Sequence, residues 1–322
     1  MSVRTKFTTN PSVQHTISQS ISFDGKGVHG NQAVRMTLNP APANTGVVFV
    51  RTSGEGRSTE IKARHDFVGA TELCTIVGDP NDLFVATIEH LMAALAALSV
   101  DNVIIDITGP EVPVMDGSSS VFIEEICDVG LIAQTARRKY IKIENPIRVE
   151  MNGSWAEFQP YDGCEFDVEI DFDDPAIGNQ RFITELTGDR FSQEISRART
   201  FGFMKDVEKL WKAGYALGSS FENSVVIGDK GIMNPEGLRF DDEFVRHKLL
   251  DAVGDLALAG APFLGRYRSY RGGHKLNYLM VKALFEQQDC WSYHELARSG
   301  FTVAPLTNIG VEPAVALAPS QN

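Results

Sequence analysis

Residues 91–98 read LMAALAAL, apolar on every side of any helix they form, and the two residues just before them are Glu89 and His90. A helix with no polar face is one the fold encloses rather than one that lies on its surface. The run is far short of the ~20 apolar residues a membrane span needs. A carboxylate and an imidazole in the first turn of a buried stretch are costly unless they are paired or functional.

A second segment echoes the first. In each half of the chain a His near the start of a helix is followed by an apolar run, a short turn and a strand: His90 to Ile104, then His247 to Leu264. Strands precede the helix in both halves. With 322 residues the prior is two domains. The expected class is α+β: two similar domains, each a sheet with helices, the helices facing each other. The boundary is expected in AQTARRKY at 133–140, polar and aperiodic, giving domains at 15–134 and 138–298 between a loose lead-in at 1–14 and a mobile Pro- and Ala-rich tail at 303–322. Alternation predicts strands at 16–23, 33–38 and 46–50, with a glycine-rich turn, GKGVHGNQ, at 25–32. A helix at 87–99 has Thr87 as its expected N-cap, and a strand at 100–109 and a helix at 119–130 follow. The second half predicts strands at 141–150, 154–160, 164–172 and 263–270, and helices near 190–196, 204–213, 242–259 and 275–288.

Charge narrows the function. Lys plus Arg is 30 against 42 Asp plus Glu, a net charge of −12, which disfavours nucleic acid and anionic membranes as partners. The four cysteines (Cys74, Cys127, Cys164, Cys290) form no CxxC pair and read as free thiols of a reducing compartment. The N-terminus lacks the apolar core of a signal peptide, so the expected location is the cytoplasm.

The chemistry gathers on DEFVRHKLLDAVGDLALA at 242–259. At about 100° per residue, Val245, Leu249, Val253 and Leu256 share one face, while His247, Asp251 and Asp255 lie on the other with Lys248 at the flank. A His and an Asp one turn apart can reach one metal ion, although the same spacing also describes a solvated helix face. Adding His90 gives three protein ligands and leaves a fourth position for water, the pattern of catalytic zinc. Glu89 would then stand beside that water as general base. In SYRGGHKLN at 269–277, His274 follows two glycines and could protonate a leaving amine while Asp255 holds its other nitrogen. In SRARTFGF at 196–203, Thr200 could donate to a developing oxyanion. Each of these also has an ordinary reading, as an exposed loop His and a solvated basic loop.

TIEHLMAAL, EVPVMDGS, SRARTFGF, DEFVRHKLLDAVGDL and RGGH, in this order, closely resemble the UDP-3-O-acyl-N-acetylglucosamine deacetylases, metal-dependent amidases of lipid A biosynthesis, from about residue 15 to about 295. The resemblance implies two similar α+β domains with their helices sandwiched between two sheets. It implies Zn²⁺ (with Fe²⁺ an alternative in the cell) on His90, His247 and Asp251, and Glu89 as general base. His274 would be the acid or cation near the leaving amine, oriented by Asp255, and Thr200 would polarise the acetyl carbonyl. Lys248 and Arg271 would meet substrate oxygens or the diphosphate. Asp171 and Phe172 would pack the uracil, and Phe201, Val207, Leu210 and Val226 would line a passage for the acyl chain. The partner is then a UDP-activated acylated sugar, with no stable membrane insertion, and the protein a monomer. One departure is Ser154, where relatives can carry a Lys before the Trp of WAEF.

Two other readings fit parts of the pattern. Two His and a carboxylate also make the facial triad of non-haem Fe(II) oxygenases, which oxygen consumption would reveal. A sugar-nucleotide binder without catalysis would have no use for a water-activating Glu89.

Overall fold

A computed structural model describes residues 9–297, so the expected tail at 303–322 and most of the lead-in lie outside the described residues. The first expected strand is two: Val13–Ile17 pairs with Leu131–Arg137, and Ile21–Lys26 starts the first main sheet. In spatial order that sheet is Ile21–Lys26, Ala33–Pro40, Val103–Ile107, Val47–Thr52 and Ser58–Lys62. The second-half sheet contains, in the same order, Ile147–Met151, Ser154–Gln159, Phe263–Tyr270, Cys164–Asp171 and Asn179–Glu185. Lys139–Ile143 and Trp291–Glu295 extend it beside the start of Phe263–Tyr270.

The two sheets share one topology. In each, the strand that follows the buried helix enters between two earlier strands, antiparallel to one and parallel to the other. A parallel neighbour demands a crossover, and the helix supplies it. The echo between the halves is therefore one of strand order and direction. Each half also carries an insert before its helix: three short strands within 68–86, and three within 201–232 with the Met204–Lys212 helix.

The crossover helices meet between the sheets. Glu89–Ala97 is buried at every position but Ala96, as its all-apolar run requires. Glu243–Leu256 is buried except at Arg246 and Lys248, which overturns the solvated-face reading of this segment. The two pack closely because position 254 is glycine. A β-carbon on Gly254 would sit 2.0 Å from the carbonyl oxygen of Glu89, inside backbone contact. The chain ends the helix with a turn at Ala257–Ala259 and Gly260 at φ 80°. No helix among the described residues is long and apolar enough to cross a membrane.

Several local expectations need correction. Thr87 does not cap its helix: it has φ 57°, the helix starts at Glu89, and the Thr87 hydroxyl donates instead to Glu111 at 2.8 Å. The left-handed kink carries the side chain away from the helix. The aperiodic 133–140 is mostly strand, because edge pairing with Val13–Ile17 needs no apolar alternation. The helix near 190–196 is a short turn, Gly188–Arg190, capped by Thr187 and followed by a wide π-helical turn, Phe191–Ile195. His274 is the first residue of the helix His274–Glu286 rather than a loop residue.

An exposed helical Gly→Ala change stabilises by up to about 1 kcal/mol. Gly254→Ala is expected to do the opposite, lowering stability by about 1–3 kcal/mol through backbone overpacking. Urea unfolding reads the sign directly, and a stabilised variant would refute the close crossing.

Candidate active site

The crossing brings together side chains far apart in sequence. His90 Nε2 stands 3.6 Å from Asp251 Oδ1, and His247 Nε2 stands 3.4 Å from the same oxygen. The two imidazoles meet edge to face with centroids 5.0 Å apart. Their ligand atoms all lie within 4.8 Å of one another, and all three residues are buried. Asp251 Oδ1 is buried with no hydrogen-bond partner among the described residues, while Oδ2 accepts from Lys248 Nζ at 2.8 Å. An orphaned carboxylate oxygen facing two imidazole nitrogens fits a divalent cation, and this donor set suits zinc.

Protonation favours the same reading. Burial pushes His247 down to about 3, so it is neutral. Its Nδ1–H donates to the Ala198 carbonyl at 3.0 Å, which turns the Nε2 lone pair toward Asp251. Burial alone would raise Asp251, but His247 and Lys248 outweigh it and hold the carboxyl well below its usual range. Burial also opposes the charge on Lys248, and Asp251 beside it restores the charge and raises it.

Next to this triad lies a proton network. Burial raises Glu89, with the nearby imidazoles of His274 and His90 pulling the other way. Glu89 Oε2 accepts from the Thr75 backbone N–H at 3.1 Å, and Oε1 stands 3.7 Å from His274 Nε2. Asp255 accepts from His274 Nδ1 at 2.9 Å, Asn277 Nδ2 at 2.8 Å and Thr75 Oγ1 at 2.6 Å. Burial works against a charged His274, yet Asp255 and Glu89 hold it up at about 9. The imidazolium is thus fixed at Nδ1 with Nε2 toward Glu89.

The other predicted residues are distributed as follows. Thr200 is half-buried two residues beyond Ala198; its backbone N–H donates to the Gly117 carbonyl at 2.8 Å, and its hydroxyl has no hydrogen-bond partner among the described residues. Arg271 is exposed at φ 53°. Asp171 accepts from Tyr270 Oη at 2.6 Å. The Phe172 ring packs edge-on to Phe201 at 5.9 Å, so a residue expected at the uracil touches one expected at the acyl chain. Phe201 also lies 6.1 Å from the His247 ring, with Lys248 Nζ 5.7 Å above it. Val207 and Leu210 are half-buried, one turn apart on the Met204–Lys212 helix, and Val226 is half-buried on the adjoining strand.

Several supporting residues escaped the sequence reading. Thr75 joins Glu89 to Asp255. Ser119 Oγ donates to the His90 carbonyl at 2.8 Å, and its N–H to Ser196 O at 2.9 Å, which explains DGSSS as a brace between the halves. Glu111 accepts from the N–H groups of His29 and Gly30, holding the 25–32 turn, whose Val28 carbonyl accepts from Gly218 N at 2.9 Å. The strongest brace is Arg199. Both its backbone N–H and its Nε donate to Glu243 Oε1 at 2.9 Å, within a pair that is 1 % and 0 % exposed. Glu243 opens the helix bearing His247, so this pair locks the Ala198 carbonyl in place against the ligand. A buried polar contact between distant residues leaves no periodic trace in sequence, and the acidic residue at the helix start was the one available signal.

Glu243→Gln is expected to weaken metal affinity about tenfold, the scale for groups that orient a ligand. Competition with a chelator measures it. Unchanged affinity would remove Ala198 and its brace from the metal's support.

The sequence profile of the family described as UDP-3-O-acyl N-acetylglycosamine deacetylase matches residues 14–286. Curated relatives named UDP-3-O-acyl-N-acetylglucosamine deacetylase, from Brucella ovis and Brucella canis, are each 51% identical over 283 residues, covering 88% of this chain and 98% of theirs. The relative from Brucella melitensis biotype 2 has the same identity and coverage. With the buried His-His-Asp group already in place on the crossing helices, these matches lead to one conclusion: the chain belongs to the UDP-3-O-acyl-N-acetylglucosamine deacetylase family.

Proposed function

We propose that this protein hydrolyses the acetamide of a UDP-3-O-acyl-N-acetylglucosamine, releasing acetate, as a zinc-dependent deacetylase of lipid A biosynthesis. The observation that carries this reading is the pairing of an orphaned Asp251 oxygen between two imidazoles with a Glu89–His274 couple 3.7 Å apart beside it. His90, His247 and Asp251 would hold Zn²⁺, which would supply a Lewis acid and lower the pKa of a bound water to about 7.

The protein's own groups do the rest. Glu89 takes a proton from the attacking water as charge develops on the acetyl carbonyl oxygen. The Thr200 hydroxyl donates to that oxygen. His274, held charged by Asp255, delivers a proton from Nε2 to the departing amine. Lys248 and Arg271 meet sugar or diphosphate oxygens, Asp171 and Phe172 the uracil, and Phe201, Val207, Leu210 and Val226 the acyl chain. In this scheme the domain at 15–134 supplies Glu89 and His90, and the one at 138–298 the remaining groups. The enzyme acts as a cytoplasmic monomer, with Fe²⁺ able to replace Zn²⁺ in the cell and no nucleic-acid partner.

Glu89→Ala is expected to retain the metal and lower kcat by about 10²–10⁴. An amine-release assay on the UDP-sugar with metal analysis checks both, and wild-type turnover would dismiss Glu89 as the base. The pH profile tests His274 separately. Its raised value means that the proton is present below, and lost above, about 9, so kcat/KM is expected to fall on the alkaline side as His274 deprotonates. In His274→Ala that limb should vanish along with most of the rate, and an unaltered limb would assign it to another group.

A further inference from the structure

A cavity of about 650 Å³ opens between the two halves and shares no residue with the metal and proton network above. Its floor is Met92, Leu95 and Ala96 from one buried helix, Val253 and Leu256 from the other, and Ala257 of the turn that follows it. By helical geometry Val253 and Leu256 occupy the side of their helix turned away from Asp251 and Asp255. The volume falls within the range of small-molecule sites, about 300–1,000 Å³.

The rim is cationic in a chain whose net charge is −12. Lys62, Arg64, Arg138 and Lys139 line the cavity with a single carboxylate, Asp101. That carboxylate is already taken by Arg138 Nε at 2.7 Å. Arg64 pairs with Asp66 at 3.0 Å. Lys62 and Lys139 are exposed and have no carboxylate partner among the described residues; Lys139 Nζ rests 5.6 Å over the Tyr293 ring. One wall is an aromatic ladder. His65 stacks on Phe285 at 4.4 Å, Trp291 meets Phe285 edge-on at 5.1 Å, and Tyr293 meets Trp291 at 5.0 Å.

An apolar floor, an aromatic wall and two ammonium groups with no carboxylate partner among the described residues together define the chemistry of an occupant. We infer that this cavity binds an anionic amphiphile: a phosphate or carboxylate head between Lys62 and Lys139, and an apolar tail along Met92, Leu95, Val253 and Leu256, beside the Trp291 ring. A neutral lipid would leave both lysines unused, and a small inorganic anion would leave the floor uncovered.

The test uses the full-length, zinc-loaded protein with Trp155→Phe and Trp211→Phe, so that the one remaining tryptophan is Trp291. Decyl phosphate, kept monomeric, is expected to change Trp291 emission saturably at one molecule per chain. Lys62→Glu with Lys139→Glu, both surface substitutions, should weaken that binding at least tenfold. Uncharged decanol should bind at least tenfold more weakly than decyl phosphate. Decanoate in its place distinguishes a carboxylate from a phosphate head, and either head binding above decanol supports the site. Leu210→Asp, which alters the expected acyl passage, should leave the Trp291 signal unchanged. The inference is overturned if Trp291 does not respond to either anion, if decanol binds as well as they do, if charge reversal has no effect, or if Leu210→Asp abolishes the signal.

Discussion

Two buried helices touch backbone to backbone at Gly254 and Glu89, and the catalytic geometry descends from that contact. A side chain at position 254 would hold the helices apart by more than the tolerance of a metal site, where ligand distances are set to within about 0.2 Å. The contact also has a stabilising role, since both helices bury nearly their whole surface between the sheets. Each sheet receives its helix through a parallel crossover of the same topology. Close packing and convergence of ligands thus have one structural cause, repeated strand order meeting at a glycine.

Around that contact the fold keeps an unusual density of buried charge. Glu89, Asp251, Asp255 and Glu243 are each 3 % exposed or less. Burying an ionised group is tolerable only when each lone pair or proton finds a partner. Asp255 meets this condition with three donors and Glu243 with Arg199 and the Arg239 backbone N–H. Asp251 meets it on one oxygen and leaves the other open toward His90 and His247. The exception is informative: beside the satisfied carboxylates of Asp255 and Glu243, the unsatisfied Asp251 oxygen facing two imidazoles marks where a cation belongs.

Much of the site was readable because its chemistry leaves local marks. His247, Asp251 and Asp255 repeat at helical spacing, and Glu89-His90 interrupts an otherwise apolar run, so each ligand stood out against its own element. The helical interiors and the alternating strands were legible for the same reason. What escaped reading was non-local. Thr75 and Ser119 act across the interface, and the Arg199–Glu243 pair joins two elements within the second half; their sequence neighbourhoods carry no period that distinguishes them. Thr87 misled because a Thr before a helix suggests a cap, whereas its left-handed backbone redirects the hydroxyl to Glu111. The edge strand at Leu131–Arg137 escaped because pairing by backbone bonds alone demands no alternation. The shared topology of the halves was visible only as a faint echo, since strand order is preserved while side chains are not.

Anomalous diffraction at the zinc edge, from crystals of zinc-loaded protein, tests the central claim most directly. One peak is expected between the crossing helices, about 2.0–2.2 Å from His90 Nε2, His247 Nε2 and one Asp251 oxygen, with Lys248 on the other oxygen. Zinc bound stoichiometrically on a different set of residues would contradict the account, whatever the sequence similarity of the chain.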